Sequence, residues 1–293
     1  MPMSPRLSAH RSQESDGGNY GSASEDRRRT PVDSPIALAG LIEGQIIPRL
    51  LVAYRGQPSR SVDLPRDRIS PTQTEGFAAM VLRLEAHMLM EQVDGFLARG
   101  ASVEAILIDL LAPAARQIGL WWEEDECDFV DVTMGLWRLQ QLIYELSARL
   151  PGKAPTAGRS RKGLFSVFPG GSHSLGTVMV EECFRREGWL TTLLTATSEK
   201  QLCKLIAEQH FDIIGLTISH DNEAAKAADL IDQMRTYSKN PFINVIVGGR
   251  VLIETPELAL QMGADATASD AQQAVMRAEI LLHVLDEQVL TGS

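Results

Sequence analysis

The sequence predicts a helical domain followed by an α/β domain with a doubly wound parallel sheet. Apolar residues recur at spacings of three and four from Thr72 to Leu150, as they do on the buried face of a helix. Beyond that region, short β-rich runs alternate with helical patterns, which is typical of α/β folds. With 293 residues, 44% of them hydrophobic, the chain is long enough for more than one domain.

The first 71 residues contribute little to the predicted core. Residues 1–34 are rich in Ser, Gly, Arg, Asp and Glu, and they contain almost no large apolar side chains. Such a segment cannot bury enough surface to offset its ordering entropy, so we expect it to be disordered. Residues 35–71 are expected to hold an extra amphipathic helix from Ile36 to Tyr54, kinked or divided by Pro48, and a polar linker.

Residues 72–150 predict a bundle of four helices. The helical pattern lies in FAAMVLRLEAHMLMEQVDGFL, VEAILIDLLAPAARQIGLWW and FVDVTMGLWRLQQLIYELSARL. We expect Gly100 and Gly119 to end helices and Asp128 to cap the last one. The following stretch 151–162, PGKAPTAGRSRK, is a linker by composition.

Residues 163–293 predict the α/β domain. Its β-rich runs are GLFSVF, LTTLL, DIIGLTI, INVIVGG and ADATA. Helical patterns begin near Ser174, Ser198, Asn222 and Glu254, and a last helix begins at Asp270. Five strands that alternate with helices predict a flavodoxin-like, Rossmann-type sheet.

Charge and composition exclude several classes of function. A net charge of −10 argues against direct binding to nucleic acid, since phosphate contacts need a dense field of Lys and Arg. No apolar run approaches the roughly 18–20 residues that span a bilayer, and the N-terminus lacks the apolar core of a signal peptide. We therefore expect a soluble, cytoplasmic protein without membrane contact. Cys127, Cys183 and Cys203 lack CxxC spacing, so we expect ordinary reduced thiols.

Three segments follow strands of the predicted sheet, at the edge where ligands of such sheets bind. They are Gly171-Ser172-His173-Ser174-Leu175-Gly176 after the first strand, Thr217-Ile218-Ser219-His220 after the third, and Gly248-Gly249 after the fourth. Each segment alone is a weak signal. A glycine turn can also cradle phosphate, and His173 can be an exposed loop histidine without a ligand.

In their order and spacing, these segments resemble the cobalamin-binding domain shared by methionine synthase, the corrinoid mutases and cobalamin-dependent regulators. That family carries DxHxxG after strand one, SxL at strand three and GG after strand four. The resemblance implies cobalamin as cofactor and His173 as the axial ligand of cobalt, which binds imidazole well. His220 is the rival ligand on the same edge.

The resemblance also implies a slot for the nucleotide tail of the cofactor. The small and hydroxyl-bearing residues that fit this slot are Gly176, Thr217, Ser219, Gly248 and Gly249, and Ser172, Ser174 and Leu175 flank the ligand histidine. One position departs from the family pattern. The aspartate that hydrogen-bonds the ligand histidine is Gly171 here, so His173 is expected to be a less basic and less firmly oriented ligand.

The helical segment resembles the bundle that covers the corrin in light-sensing and methyl-carrying members of the family. The run Ile118-Gly119-Leu120-Trp121-Trp122 matches their IGxxW stretch, which implies that Trp122 lies over the corrin with Trp121 beside it. Either tryptophan can instead be bundle core. The Glu-His pair that holds an adenosyl group is replaced by Val132-Thr133, so water or hydroxide is favoured as upper ligand over adenosyl. The acidic run after Trp122 is expected to be a solvated turn rather than a metal site.

No Ser-His-Asp, P-loop or paired-carboxylate pattern stands out, so we expect the chain not to be an enzyme. The chain most resembles the AerR/PpaA antirepressors of photosynthetic proteobacteria. That resemblance implies a light-responsive transcriptional regulator whose partner is a PpsR/CrtJ-type repressor of photosynthesis genes. Two alternatives remain open at this point: a corrinoid methyl carrier of a methyltransferase system, and a flavodoxin-like module that binds phosphate or flavin.

Overall fold

The computed structural model describes residues 69–154 and 160–291, with side chains as far as residue 284. The segment 1–34 that we expect to be disordered and the helix expected from Ile36 to Tyr54 lie outside these residues. The described chain consists of a helical half that ends near Leu150 and an α/β half that begins at Lys162.

The helical half contains four rods. They are α1 (Pro71–Arg83), α2 (Ala86–Ala98), a third rod of three parts, and α5 (Phe129–Arg149). The third rod runs without a break through α3 (Val103–Ala105), a π-helical segment (Ile106–Leu111) and α4 (Ala112–Glu123).

Local sequence signals account for most ends of these helices. Asp128 caps α5 in a reciprocal capping box with Asp131, as the sequence predicts. Gly100 follows α2 with a φ of 93°, a backbone conformation that glycine adopts without strain. The prediction that Gly119 ends a helix is wrong, because Gly119 lies inside α4. A single glycine costs a helix only about 1 kcal/mol, which the packing of the rod outweighs.

Pro113 explains the irregular third rod. Proline has no N–H to donate to the carbonyl four residues earlier, which belongs to Asp109. The Thr74 hydroxyl of α1 donates to that carbonyl over 3.1 Å. Just before the proline, the N–H of Ala112 reaches the Leu107 carbonyl in the wider π pattern. The rod therefore continues through Pro113 with help from the neighbouring helix.

The α/β half contains a sheet of five parallel strands in the order β2-β1-β3-β4-β5. The strands are β1 (Lys162–Val167), β2 (Leu190–Leu194), β3 (Ile213–Thr217), β4 (Asn244–Gly248) and β5 (Ala266–Ala268). This order is the flavodoxin-like one, so the predicted fold class is confirmed.

Helices cover both faces of the sheet. They are α6 (Leu175–Arg186), α7 (Glu199–Glu208), α8 (Asp221–Tyr237), α9 (Arg250–Glu254), α10 (Leu258–Gln261) and α11 (Ala271–Thr291). The expected helix near Glu254 is instead the two short helices α9 and α10. The residues between them, Thr255 to Glu257, include Pro256, and the residue before a proline disfavours helical backbone.

The bundle and the sheet share a hydrophobic core. The core of the bundle extends onto α6 through Val178, Met179 and Cys183, and onto α11 through Ala271. On the side of α6 toward the sheet, Phe184 packs against Phe165 of β1, with ring centroids 4.6 Å apart. Helix α6 is therefore buried between the two halves.

A buried arginine adds a polar contact between the halves. The guanidinium of Arg186, at the end of α6, donates to Glu104 of α3 over 2.7 Å and to the Leu150 carbonyl at the end of the bundle. It also lies 3.7 Å from Glu182, a buried carboxylate on its own helix. Since a buried charge needs partners, this set of contacts orders the last turn of α6 against the bundle.

The electrostatics of this contact act on Glu104. Burial alone would raise the pKa of its carboxyl, but hydrogen bonds from its own backbone N–H and from Arg186, together with the positive charge of Arg186, lower it on balance. A lowered carboxyl pKa stabilises the folded chain above the unfolded pKa, and that stabilisation is lost as pH falls through the folded pKa.

In the part of the chain that the structure describes, no helix is both long and apolar enough to cross a bilayer. All three cysteines are free. Cys183 lies in the core shared by the two halves, and burial there, with the nearby carboxylates Glu104 and Glu182, raises its pKa to about 12.

We expect Glu104→Gln to reduce the acid sensitivity of the protein. As pH falls from about 6 to about 3, the wild type loses the stabilisation that the ionised Glu104 gives, whereas the variant has none to lose. Thermal unfolding of both proteins at a series of pH values checks this. Glu145→Gln, at an exposed carboxylate on α5 that pairs with Arg149 of the same helix, is the control. Parallel pH curves for wild type and Glu104→Gln would contradict the assignment.

Candidate functional site

The loop after β1 carries His173 at the carboxyl edge of the sheet. Phe168 continues the pairing of β1 with β3, since its N–H donates to the Thr217 carbonyl over 2.9 Å. The chain then turns at Gly170, whose φ of 85° suits glycine, and the Gly171 N–H closes the turn on the Phe168 carbonyl. His173 follows this turn with an exposed side chain, directly before the start of α6.

The loop after β3 places His220 beside His173. The two imidazole rings lie with their centroids 4.9 Å apart in an edge-on arrangement at 72°. His220 is exposed as well and precedes α8. The structure therefore brings together both histidines that the sequence singles out, the proposed ligand and its rival.

Glu223 lies beneath these two loops, a position that no sequence pattern predicted. Its side chain is only 8% exposed. Its Oε2 accepts the Ser219 N–H over 2.7 Å and the His220 N–H over 3.2 Å. Its Oε1 points to Gly171, where an added Cβ would lie 3.0 Å away. The available signal was a carboxylate three residues after the N-cap His220, which predicts a cap but not a contact with a distant loop.

Open space and hydroxyl groups lie beside the histidines. Gly176, in the first turn of α6, has no heavy atom within 4 Å of the position of an added Cβ. The neighbouring Thr177 hydroxyl donates to the Thr217 hydroxyl at the end of β3 over 2.8 Å, which ties α6 to that strand. Ser172 is exposed, and Ser174 and Leu175 are partly buried where α6 begins.

The glycines after β4 serve a close approach of two loops. Gly249 has a φ of 117°, and an added Cβ would lie 2.1 Å from the Ile218 carbonyl oxygen. The Ile218 N–H donates to the Gly248 carbonyl over 2.8 Å, so the chain after β3 packs directly on the chain after β4. At Gly248 an added Cβ would lie 3.2 Å from the Ala268 carbonyl oxygen. The lack of a side chain at both positions therefore lets the loops at the carboxyl edge of the sheet pack closely.

The bundle residues that the sequence singles out differ in burial. Trp121 and Val132 are partly buried and pack against the bundle core, and Leu175 of the histidine loop packs against the same core. Trp122 is 49% exposed instead. Adjacent residues on a helix cannot share one face, and here Trp121 packs against the core while Trp122 is exposed.

The acidic run after Trp122 is a turn. Asp125 has a φ of 58°, and the Glu126 N–H donates to the Trp121 carbonyl over 2.7 Å. Within residues 69–154 and 160–291 no group of three or more His, Cys, Asp or Glu side chains could hold a metal ion by itself.

Two family models match the chain. Residues 161–278 match a B12 binding domain model, and residues 73–146 match a second B12 binding domain model. Together they span the bundle and the sheet, well over half of the chain. The chain belongs to the B12-binding domain family.

This B12-binding chain is similar to a bacterial protein known from its sequence. A 20.5 kDa protein of Rhodobacter capsulatus, described as uncharacterized and encoded in the bchF-crtJ intergenic region, is 28% identical over 177 residues. The match covers 60% of this chain and 92% of that protein.

Among solved structures, the monomethylamine corrinoid protein of Methanosarcina barkeri is similar, with a TM-score of 0.59 and 17% identity. The match covers 72% of this chain and 97% of that protein, and it shows the shared fold. A cobalamin-binding protein of Desulfitobacterium hafniense matches with a TM-score of 0.39 and 17% identity, covering 71% of this chain and 98% of that protein.

The residues at the edge of the sheet fit a cobalamin. An exposed imidazole is available as a cobalt ligand at His173, and a second lies beside it at His220. The free space at Gly176 admits a bulky group, and the hydroxyls of Thr177 and Thr217 line the same end of β3. Trp122 offers an exposed aromatic surface on the bundle.

We expect Gly176→Leu to separate cofactor binding from folding. The new side chain enters open space and improves helix propensity by up to about 1 kcal/mol, so the cofactor-free protein should melt no earlier than the wild type. Cobalamin affinity, measured by absorbance titration, should fall because the side chain fills space that the cofactor needs.

Gly249→Ala is the matched control for that experiment. Its Cβ would collide with the Ile218 carbonyl, so this variant should lower the melting temperature of the cofactor-free protein itself. Unchanged cobalamin affinity in Gly176→Leu would show that the cofactor lies elsewhere.

Proposed function

We propose that this chain is a light-responsive, cobalamin-dependent transcriptional regulator, an antirepressor that acts through contact with a PpsR/CrtJ-type repressor of photosynthesis genes. The observation that carries the proposal is the match to the protein of the bchF-crtJ intergenic region, which extends over 92% of that relative. The conclusion on cofactor class rests separately on the two B12-binding matches.

In this proposal His173 is the axial ligand of cobalt. Its imidazole is exposed at the edge of the sheet, and glycine occupies the place of the aspartate that would hold it. Bound cobalamin would supply a cobalt ion whose ligands exchange, with light as the trigger. Val132 and Thr133 stand in place of the Glu-His pair that holds an adenosyl group, which favours water or hydroxide over adenosyl as the upper ligand.

The histidine loop is coupled to the bundle through Leu175. This residue lies two positions after His173 and packs against the core shared by the bundle and α6, as Trp121 and Val132 also do. A change in the position of His173 therefore acts on the packing between bundle and sheet. Two alternative packings of this kind would present different surfaces to a protein partner.

The charge of the chain suits such a partner. A net charge of −10 is complementary to a basic DNA-binding protein, and complementary charge increases association rates and selects partners. The regulator would then compete with DNA for the repressor without contacting DNA itself.

Replacing His173 tests the cobalt ligand. Wild type incubated with hydroxocobalamin should show the absorbance change of imidazole ligation, and His173→Ala should lose it. Cobalamin affinity should fall by more than the roughly 10–100-fold that an outer-shell partner of a metal ligand typically contributes. His220→Ala is the matched control and should keep the spectrum. Loss of the absorbance change in His220→Ala, with His173→Ala unchanged, would assign the ligand to His220.

A gel-shift assay tests the regulatory role. Cobalamin-loaded wild type should release a PpsR/CrtJ-type repressor from its operator, with a difference between light and darkness, and His173→Ala should not. An intact repressor–operator complex under both conditions would overturn the antirepressor function while leaving cobalamin binding untouched.

A corrinoid methyl carrier is the second candidate function. It is favoured by the architecture shared with the monomethylamine corrinoid protein, 97% of which this chain covers. A carrier should deliver the methyl group of bound methylcobalamin to an acceptor in the presence of a methyltransferase. The same purified protein can be used for this assay, so one preparation decides between the two functions.

A further inference from the structure

We infer that Glu223 takes the place of the missing aspartate and positions the axial histidine. The inference rests on the proposed ligation of cobalt by His173. It concerns a residue of α8 that is distant in sequence from the DxHxxG-like segment but adjacent to it in space. In this role Glu223 accepts the imidazole N–H of His173 that does not face cobalt.

The carboxylate of Glu223 occupies the space beside Gly171. An added Cβ at Gly171 would lie 3.0 Å from Glu223 Oε1. An aspartate at position 171 would begin at that Cβ, so its carboxylate would compete with Glu223 for the same space. The glycine and the buried glutamate are therefore complementary: the one leaves room that the other fills.

Backbone hydrogen bonds hold the carboxylate of Glu223 in place. Glu223 is 8% exposed, and its Oε2 accepts the N–H groups of Ser219 and His220. A carboxylate with two backbone donors on one oxygen has a fixed orientation, and its other oxygen keeps its lone pairs for a further donor. That second oxygen is the one turned toward Gly171.

The side chains of His220 and Asp221 are poorer acceptors for the imidazole N–H of His173. The neighbouring ring is His220, with its centroid 4.9 Å away, and an edge-on ring contact does not fix the direction of an imidazole as a carboxylate does. Asp221, the other acidic residue at the start of α8, is exposed. Glu223 is thus the acidic residue of this helix start that is both buried and directed at the histidine loop.

Glu223→Gln is the central variant. Its amide carbonyl can still accept the Ser219 and His220 N–H groups, so the loop should stay folded, but the charged acceptor for the imidazole is lost. We expect hydroxocobalamin affinity to fall about 10–100-fold, with an altered absorbance spectrum, as for other outer-shell partners of metal ligands. The melting temperature of the cofactor-free protein reports on folding independently.

Asp221→Asn is the matched control. It removes the same charge from the first turn of the same helix, at an exposed position, and should bind hydroxocobalamin as the wild type does. If Glu223→Gln and Asp221→Asn have equal affinities, the inference is wrong.

A swap separates a positioning role from a structural one. In the Glu223→Ala background, which vacates the space beside position 171, Gly171→Asp restores a carboxylate near His173, and Gly171→Ala adds the same Cβ without one. Both carry the same strain against the Phe168 carbonyl, which lies 2.9 Å from that Cβ. We expect the aspartate variant to bind hydroxocobalamin at least about tenfold more tightly than the alanine variant. Equal affinities would mean that Glu223 only supports the turn.

The His173→Ala variant keeps this test distinct from the proposed function. If His173→Ala retains the wild-type spectrum, the ligand assignment fails and the inference with it. If His173→Ala loses the spectrum of imidazole ligation but Glu223→Gln keeps both the wild-type spectrum and the wild-type affinity, only the role of Glu223 is overturned.

Discussion

Burial of α6 between bundle and sheet is the constraint on which the rest of the structure depends. One side of this helix completes the core of the bundle through Val178 and Met179, and the other packs Phe184 on the sheet. Its last turn is joined to the bundle by Arg186, and its first turn carries the loop of the proposed cobalt ligand. A helix fixed along its length by both halves holds its N-terminal loop at their junction. The site therefore depends on packing far from the histidine.

The chemistry of the proposed site depends on which of two positions supplies a carboxylate. A glycine at 171 removes the carboxylate that would accompany the histidine in the sequence motif, and it leaves space that Glu223 of α8 occupies. An acceptor supplied from another helix ties the orientation of the imidazole to the relative position of two loops, those after β1 and β3. For a sensor this arrangement is useful, since the strength of the axial bond then varies with the state of the surrounding fold. The same arrangement would be a disadvantage for a catalyst that needs an axial bond of constant strength.

The hydrophobic periodicity and the residues that cap or end helices and strands were sufficient to predict the fold. The alternation of apolar strands with capped helices marked all five strands and the helix starts at Ser174 and Ser198, because these signals are local. The failures also have physical reasons. Gly119 continues a helix because packing outweighs its weak propensity, and the contact of Glu223 with Gly171 arises only when two crossovers bring their loops to one edge of the sheet. Contacts of that kind leave no periodic trace in a single sequence.

Cys183 lies where the reactivity of its thiol depends on the contact between the two halves. Its thiol lies in the core that bundle and sheet share, and burial there raises its pKa to about 12. Burial and the raised pKa both protect this thiol while bundle and sheet stay packed, so its rate of alkylation would rise with any opening of their junction. A natural residue would thus report how strongly a bound cofactor or partner keeps the two halves together, without any label added to the chain.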